Sequence, residues 1–303
     1  MTMPDDFDPP IGRAETLRPG LRRIVAPNPS AMTYRGTNTY LLGDTEIAVI
    51  DPGPDNASHL AAILNAVTPN QRITHIVVTH SHLDHAPLAR PLQDACGAEI
   101  YAFGSAEAGR SKIMKALAAS GVTGGGEGVD IDFAPDRTVA DGDMIRTKDW
   151  QLEVLHTPGH IGNHICLAWG ECCFTADHVM GWASSLVSPP DGDLSDFMTS
   201  CERLGERQWD SFFPGHGDVI SDPKGRLNWL INHRKSRETA ILSALRAKPA
   251  NARDLAREIY TEVPHELHDA AARNVLAHLI DLHKKNAVQF DRPLAQNSVF
   301  SLK

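Results

Sequence analysis

The chain has 303 residues, 42% of them hydrophobic, and a formal net charge of -9 at pH 7. This length and composition predict a globular protein with a sizeable core. No apolar stretch approaches the roughly 20 residues of a membrane helix, the N-terminus has no apolar signal-peptide core, and the five cysteines form no disulfide framework. We therefore expect a soluble cytoplasmic protein that does not bind membranes.

Strand-like and helix-like segments alternate along residues 1–232. A helical apolar pattern follows the start signal Pro54-Asp55-Asn56, and the short β-branched run at 73–78 predicts a buried strand. Cys166, Cys172 and Cys173 lie in apolar strand-like runs, which predicts small core residues. This alternation indicates a mixed α/β domain.

The most informative segment follows that predicted strand and contains His80, His82, Asp84 and His85. In an extended backbone, His80 and His82 leave the same face of the chain. Asp84 and His85 come next, before a helix that we expect to begin near Ala86. A buried imidazole cluster without metal would repel itself when protonated and leave nitrogens unpaired. This loop therefore predicts ligands for two neighbouring metal ions.

Three further strand ends carry ligand-type residues, namely His160, Asp177 and His216. Imidazole and carboxylate together suit Zn²⁺ first, and Fe or Mn also fit. A bridging carboxylate such as Asp177 allows two metals at about 3.5 to 4 Å separation. Most of the other histidines are expected to be incidental, with His164 and His178 the least secure because they are close to the site in sequence.

The order His-x-His-x-Asp-His, followed by isolated His, Asp and His, resembles the fingerprint of the metallo-β-lactamase superfamily. The ligands that this resemblance implies are His80, His82 and His160 for the first metal, Asp84, His85 and His216 for the second, and Asp177 as the bridge. Asp51 resembles an early Asp-x-Gly element that supports the metal loop. The implied fold is an αββα sandwich, with two mixed sheets face to face and helices outside.

Residues 233–303 are almost wholly helical in pattern. One helix ends at Lys248-Pro249, a second follows Asn251, and a third spans about 266–286. Two β-like pieces, 288–290 and 298–300, close the chain. Three helices followed by a hairpin is the order of a winged helix. We therefore predict a catalytic domain at 1–232 and a winged-helix-like domain at 233–303, whose amphipathic helices could also form a homodimer interface.

Charge differs between the two predicted domains. Residues 1–232 hold 17 Lys and Arg against 30 Asp and Glu, whereas residues 233–303 hold 12 against 8. An acidic catalytic domain with a mildly basic tail permits RNA steering without requiring it. The chain is most similar to lactamase-like hydrolases with a C-terminal winged helix, some of which cut single-stranded RNA. The glycine run at 124–126 lies outside this resemblance and is expected to be a flexible loop.

The site predicts hydrolysis, because two metals lower the pKa of bound water from about 15.7 toward about 7 and so generate a hydroxide nucleophile. Asp84 would orient this hydroxide, and His178 is a leaving-group acid candidate on proximity alone. If the implied fold holds, Tyr34, Arg35 and Trp182 lie near the mouth and can contact substrate.

Three functions remain open from the sequence. The first is an endoribonuclease acting on single-stranded RNA. The second is a thioesterase similar to glyoxalase II, or another small ester or lactam hydrolase, in which the tail only walls the pocket. The third is a winged-helix nucleic-acid-binding regulator with a vestigial site, and the intact ligand set argues against it.

Overall fold

The computed structural model describes residues 7–126, 128–264, 267–290 and 294–303. Two mixed β-sheets pack face to face in this structure. The first sheet has the strand order β1 (Glu15–Arg18), β2 (Leu21–Val25), β3 (Asn38–Leu42), β4 (Glu46–Ile50), β5 (Arg72–Val77), β6 (Glu99–Ala102) and β7 (Arg137–Thr138). The second has the order β12 (Ser211–Pro214), β11 (Cys172–Ala176), β10 (Ile165–Trp169), β9 (Gln151–His156) and β8 (Met144–Arg146). In the first sheet, the neighbouring strands from β4 through β7 pair in parallel. In the second sheet, β11 and β12 pair in parallel.

Helices cover the outer faces of both sheets. The described helices are α1 (Ala57–Asn65), α2 (Ala89–Cys96), α3 (Lys112–Ala119), α4 (Leu194–Gly205), α5 (Pro223–Ala247), α6 (Ala252–Ile259) and α7 (His268–Lys284). Ile63 of α1 and Leu92 of α2 pack on the first sheet, and Phe197 of α4 and Leu227 of α5 pack on the second. The side chains between the sheets form a separate apolar cluster. The expected αββα sandwich is therefore confirmed.

The C-terminal part contains α5, α6 and α7 followed by a small sheet in the order β13 (Ala250–Asn251), β15 (Val299–Leu302) and β14 (Val288–Phe290). This confirms the winged-helix arrangement. Met114 and Leu117 of α3 join its core, where they pack with residues such as Ile241 and Leu276. Helix α5 runs unbroken through residues 232 and 233, and the domain boundary placed there stays a prediction.

The helix expected near Ala86 begins three residues later, at Ala89. Before it, the N–H of Ala86 donates to His82 O (3.0 Å) and the N–H of Leu88 donates to Gly53 O (3.1 Å). These bonds hold the ligand loop in turns and tie it to the loop after β4. Among the described helices, none is both long and apolar enough to cross a membrane.

Candidate metal centre

The seven predicted ligands come together at one edge of the sandwich, and all of them are buried. They are supplied by the loops that follow β5, β9, β11 and β12. Two overlapping groups form: His80, His82, His160 and Asp177 in one, and Asp84, His85, His216 and Asp177 in the other. Within each group, one ligand atom per residue lies within 4.8 Å of all the others. Residues up to 136 positions apart thus form two sites that share Asp177.

The spacing in the first group fits a tetrahedral ion. Nδ1 of His82 lies 3.0 Å from Nε2 of His160, and that nitrogen lies 3.6 Å from Oδ2 of Asp177. Ligands bound at about 2.0 to 2.1 Å in a tetrahedron stand about 3.3 Å apart. The ring of His80 packs edge-on against both other imidazoles of the group.

The ligand atoms of the second group are spaced like those of the first, but this group contains two carboxylates and two imidazoles. Nε2 of His216 lies 3.1 Å from Oδ2 of Asp84 and 3.3 Å from Oδ1 of Asp177. Nε2 of His85 lies 3.3 Å and 3.4 Å from the same two oxygens. The two oxygens of Asp177 therefore face different groups, Oδ2 the first and Oδ1 the second, as a bridging carboxylate requires.

The outer ring nitrogens of four histidines are held by hydrogen bonds. Nδ1 of His80 is 2.9 Å from Thr79 Oγ1, and Nδ1 of His85 is 3.0 Å from Asp51 Oδ2. Nδ1 of His160 and of His216 contact backbone carbonyls, at Leu186 (2.7 Å) and Gly36 (3.2 Å) respectively. Each bond places the N–H on the outer nitrogen and leaves the Nε2 lone pair facing inward, where a metal can take it.

Asp51 organises the loop from behind. Its carboxylate accepts from the N–H and Oγ1 of Thr79, both at 2.7 Å, as well as from Nδ1 of His85. Asp51 adopts a left-handed backbone conformation with φ +50, which is uncommon for a residue other than glycine. The support that the sequence resemblance implied for Asp51 thus has a concrete form: it orients one histidine directly and a second one, His80, through Thr79.

The two groups differ in electrostatics. Burial and the neighbouring His160 lower the pKa of His82 to about 3. Burial also opposes the charged form of His216, but the carboxylates of Asp177 and Asp84 outweigh it and raise the pKa of His216 to about 10. The same carboxylates, with Asp51, raise the pKa of His85 well above its usual value against the effect of burial. The first group therefore consists mainly of neutral imidazoles, and the second pairs imidazoles with anions.

Two observations show that the donor set fits metal ions. Nε2 of His80 is buried without a hydrogen-bond partner among the described residues, and leaving such an atom unpaired is costly. Oδ1 of Asp177 is also buried, and it lies 3.3 Å and 3.4 Å from Nε2 of His216 and His85, which are themselves candidate ligands. The site also requires Gly215, because a Cβ there would lie 2.3 Å from Oδ1 of Asp177 and 2.8 Å from the His85 ring. Cations coordinated by these atoms would satisfy them.

A cavity of about 240 Å³ opens from both groups. One side, here called the ligand wall, consists of His82, Asp84, His160, Asp177 and His216. A second set of lining residues, here called the C-terminal wall, consists of Tyr260, Val263, Leu267, Ala270, Ala271 and Asn274. Other lining residues are Ala31, Met32, Gly125, Gly126, Met180, Trp182, Ala183, Ser184 and Leu186. The glycine run, which was expected to be a flexible loop, thus contributes to the cavity. A Cβ at Gly125 would lie 2.3 Å from Arg273 Nε.

Two of the three predicted substrate contacts, Tyr34 and Arg35, do not line the cavity within the part of the chain that the structure describes. Trp182 lines the cavity, Tyr34 stacks on Trp182 with ring centroids 5.0 Å apart, and the guanidinium of Arg35 lies over the Tyr34 ring. His178 is fully buried between Phe197 and Cys201 and does not line the cavity. The proposed acid role of His178, based on proximity in sequence, therefore finds no geometric support.

Sequence reasoning missed several supports of the site. Thr79 and Thr37 bond to Asp51 and Asp84, and the carbonyls of Gly36 and Leu186 orient two histidines. A threonine beside the His block is a weak signal for such a role, and a backbone carbonyl leaves no signal in the residue type.

Fold and site define a hydrolase built on the metallo-β-lactamase sandwich. A model of the metallo-beta-lactamase superfamily matches residues 32–221, and a model of the beta-lactamase associated winged helix domain matches residues 252–292. The chain belongs to the metallo-beta-lactamase superfamily.

Its relatives cover most of both domains. The chain is 32% identical to a beta-lactamase-like protein 2 homolog of Drosophila melanogaster, over 89% of this chain and 90% of that protein. It is 27% identical to an atrochrysone carboxyl ACP thioesterase of Claviceps purpurea, over 84% of this chain and 76% of that protein. A beta-lactamase domain protein of Burkholderia ambifaria has the same fold, with a TM-score of 0.80 and 20% sequence identity. The match covers 99% of this chain and 96% of that protein.

Proposed function

We propose that this protein hydrolyses small acyl thioesters, or chemically similar esters, at a two-metal centre. The observation that carries the proposal is the cavity: a buried ligand set opens into a small, mainly apolar space that the C-terminal wall closes. An apolar pocket with few polar groups is typical of sites that bind small molecules. The relative named as an ACP thioesterase supports a thioester substrate.

The residues present suit this chemistry. When bound, two metal ions supply a water of lowered pKa as the nucleophile and polarise the substrate carbonyl. His80, His82 and His160 would hold one ion, Asp84, His85 and His216 the other, and Asp177 both, with Zn²⁺ preferred and Fe or Mn compatible. The C-terminal wall would place mainly apolar side chains around the acyl group.

Asp84 has a further role in this proposal. Its contacts with Thr37, His85 and His216 all use Oδ2. Within the described residues this leaves Oδ1 to accept a hydrogen bond from the attacking water and to orient it. Burial opposes the ionised form of Asp84, but His85 and His216 outweigh it and lower the pKa of Asp84, so the acceptor stays ionised.

The nuclease hypothesis has less support from the cavity. No Lys or Arg belongs to the described residues that line it, whereas proteins that hold a phosphodiester backbone use such cations for affinity. The mildly basic C-terminal domain thus presents an apolar surface to the site.

The test is turnover of metal-loaded protein on N-acetylcysteamine thioesters with acyl groups from acetyl to octanoyl, beside labelled single-stranded RNA. We expect thioester hydrolysis that His82→Ala and Asp84→Ala both abolish. RNA cleavage that these variants abolish, without thioester hydrolysis, would replace the proposal with the nuclease function. RNA binding without any turnover would indicate the regulator.

A further inference from the structure

The C-terminal domain contacts the metal centre through a three-residue segment, Ser185 to Val187. The carbonyl of Leu186 faces the ligand side and is 2.7 Å from Nδ1 of His160. Its two neighbours face the C-terminal domain: Arg234 donates through Nη2 to Ser185 O, and Val187 N–H donates to Asn274 Oδ1 at 3.0 Å. The segment that orients a predicted metal ligand is therefore held from the other side by α5 and α7.

Arg234 is the residue that fixes this arrangement. Its side chain is 2% exposed, its guanidinium lies over the Phe197 ring, and Nη1 donates to Asn274 Oδ1 at 2.9 Å. A buried charge is tolerated when its donors are satisfied by well-placed acceptors. Asn274 Oδ1 and Ser185 O accept from Nη1 and Nη2, whereas Nε is buried without a partner among the described residues. Arg234 and Asn274 therefore hold each other in one geometry through Nη1.

The orientation of the Asn274 amide follows from these contacts. Oδ1 accepts from two donors, Val187 N–H and Arg234 Nη1, and a carbonyl-type oxygen has two lone pairs. A flipped amide would place NH₂ against both donors. The Nδ2 donors are therefore on the other side of the group, and no described residue accepts from them. Asn274 also lines the cavity, where it is the one amide side chain among the described lining residues.

We propose that Asn274 is a substrate-binding residue, whose Nδ2 donates a hydrogen bond to an oxygen on the acyl group of the substrate. This inference rests on the proposed thioester hydrolysis. The reacting carbonyl lies at the ligand wall, so the acyl chain extends toward the C-terminal wall, where Asn274 is held. A fixed donor in an apolar surrounding selects acyl groups that carry a carbonyl oxygen over saturated ones.

The test compares hydrolysis of hexanoyl, 3-oxohexanoyl and 5-oxohexanoyl N-acetylcysteamine thioesters by the wild-type protein and two variants. Asn274→Asp keeps an acceptor for Val187 N–H and Arg234 and removes the donor, whereas Asn274→Leu removes both. Gln289→Glu is the matched control, because it makes the same change of charge at an exposed amide of the same domain.

We expect the ratio of kcat/KM for the better oxo substrate to that for hexanoyl to fall about tenfold in Asn274→Asp, the value of one neutral hydrogen bond. Comparing ratios cancels the intrinsic reactivity of each thioester. Metal content should stay at the wild-type level in Asn274→Asp and decrease in Asn274→Leu, because only the latter releases the segment that orients His160. Gln289→Glu should change neither quantity.

Hydrolysis without a preference for either oxo substrate, or with a preference that Asn274→Asp retains, would overturn the inference while leaving the proposed function standing. A merely structural role for Asn274 would lower kcat/KM for all three substrates equally and leave the ratio unchanged. If wild-type protein hydrolyses none of the thioesters, the proposed function fails and this inference fails with it.

Discussion

The ligand wall and the C-terminal wall line the same cavity and differ in both chemistry and construction. The ligand wall is composed of imidazoles and carboxylates on loops that follow strands. Thr37 holds Asp84 in place, and backbone carbonyls hold His160 and His216. The C-terminal wall is composed of alanines, aliphatic residues, one tyrosine and one asparagine, and half of these residues lie on α7. The comparison indicates that one wall supplies the chemistry and the other selects what reaches it.

The largest effect is expected on the ligand wall, from Asp177→Asn. This change keeps the shape of the side chain and removes the charge that both ligand groups share, so we expect kcat to fall about 10³-fold or more. Metal analysis should show fewer than two equivalents. Asp141→Asn is the control, because this carboxylate bonds to Arg203 and to the N–H of His156 and belongs to neither ligand group. Two equivalents of metal with activity within tenfold of wild type would contradict a bridging role.

Behind the same wall, Asp51→Ala should weaken metal binding by about 10- to 100-fold, the usual effect of losing a residue that orients ligands. It leaves Nδ1 of His85 and the N–H of Thr79 without their acceptor. Competition with a chelator measures the affinity. Asp51→Asn retains one acceptor and tolerates the left-handed backbone, so its loss should be smaller. Equal losses would show that the charge of Asp51 is responsible, and not the remaining acceptor or the backbone conformation.

A change on the C-terminal wall should alter selectivity instead. Ala270→Leu inserts a larger side chain into the cavity, and overpacking costs about 1 to 3 kcal/mol. We expect KM for octanoyl thioester to rise about tenfold, while that for acetyl thioester and the metal content stay near wild type. Ala61→Leu, on the exposed side of α1, is the control. Equal effects on both thioesters would mean that the acyl chain does not contact this wall.

The smallest effect is expected where α7 is joined by charge to Asp193, the residue that caps α4. Lys284 of α7 donates to both oxygens of Asp193, at 2.9 Å and 2.7 Å. Because Lys284 is partly exposed, Lys284→Met should lower the free energy of unfolding by about 1 kcal/mol. Urea unfolding measures it, with Lys115→Met on the exposed face of α3 as the control. Loss of metal in Lys284→Met would show that this pair supports the centre itself.

The sequence predicted the metal ligands because their signal is local. His80, His82, Asp84 and His85 are near neighbours in the chain, and each remaining ligand follows a recognisable strand, so residue type and spacing were sufficient. The αββα fold and the winged helix followed from the resemblance and from the order of elements. His178 shows the limit of the same reasoning, since its closeness to Asp177 in sequence led to a role that its packing against Phe197 does not support.

The sequence by itself determined which residues can bind metal and that the tail is a winged helix, because ligand chemistry and apolar periodicity are properties of the residues. Only the tertiary structure decided which space those ligands face. The position of Asn274 on α7 and the burial of Arg234 in α5 depend on how the C-terminal helices pack against residues 185–187. Packing of distant segments sets such contacts, and no pattern within α7 distinguishes a cavity-lining asparagine from an ordinary polar position.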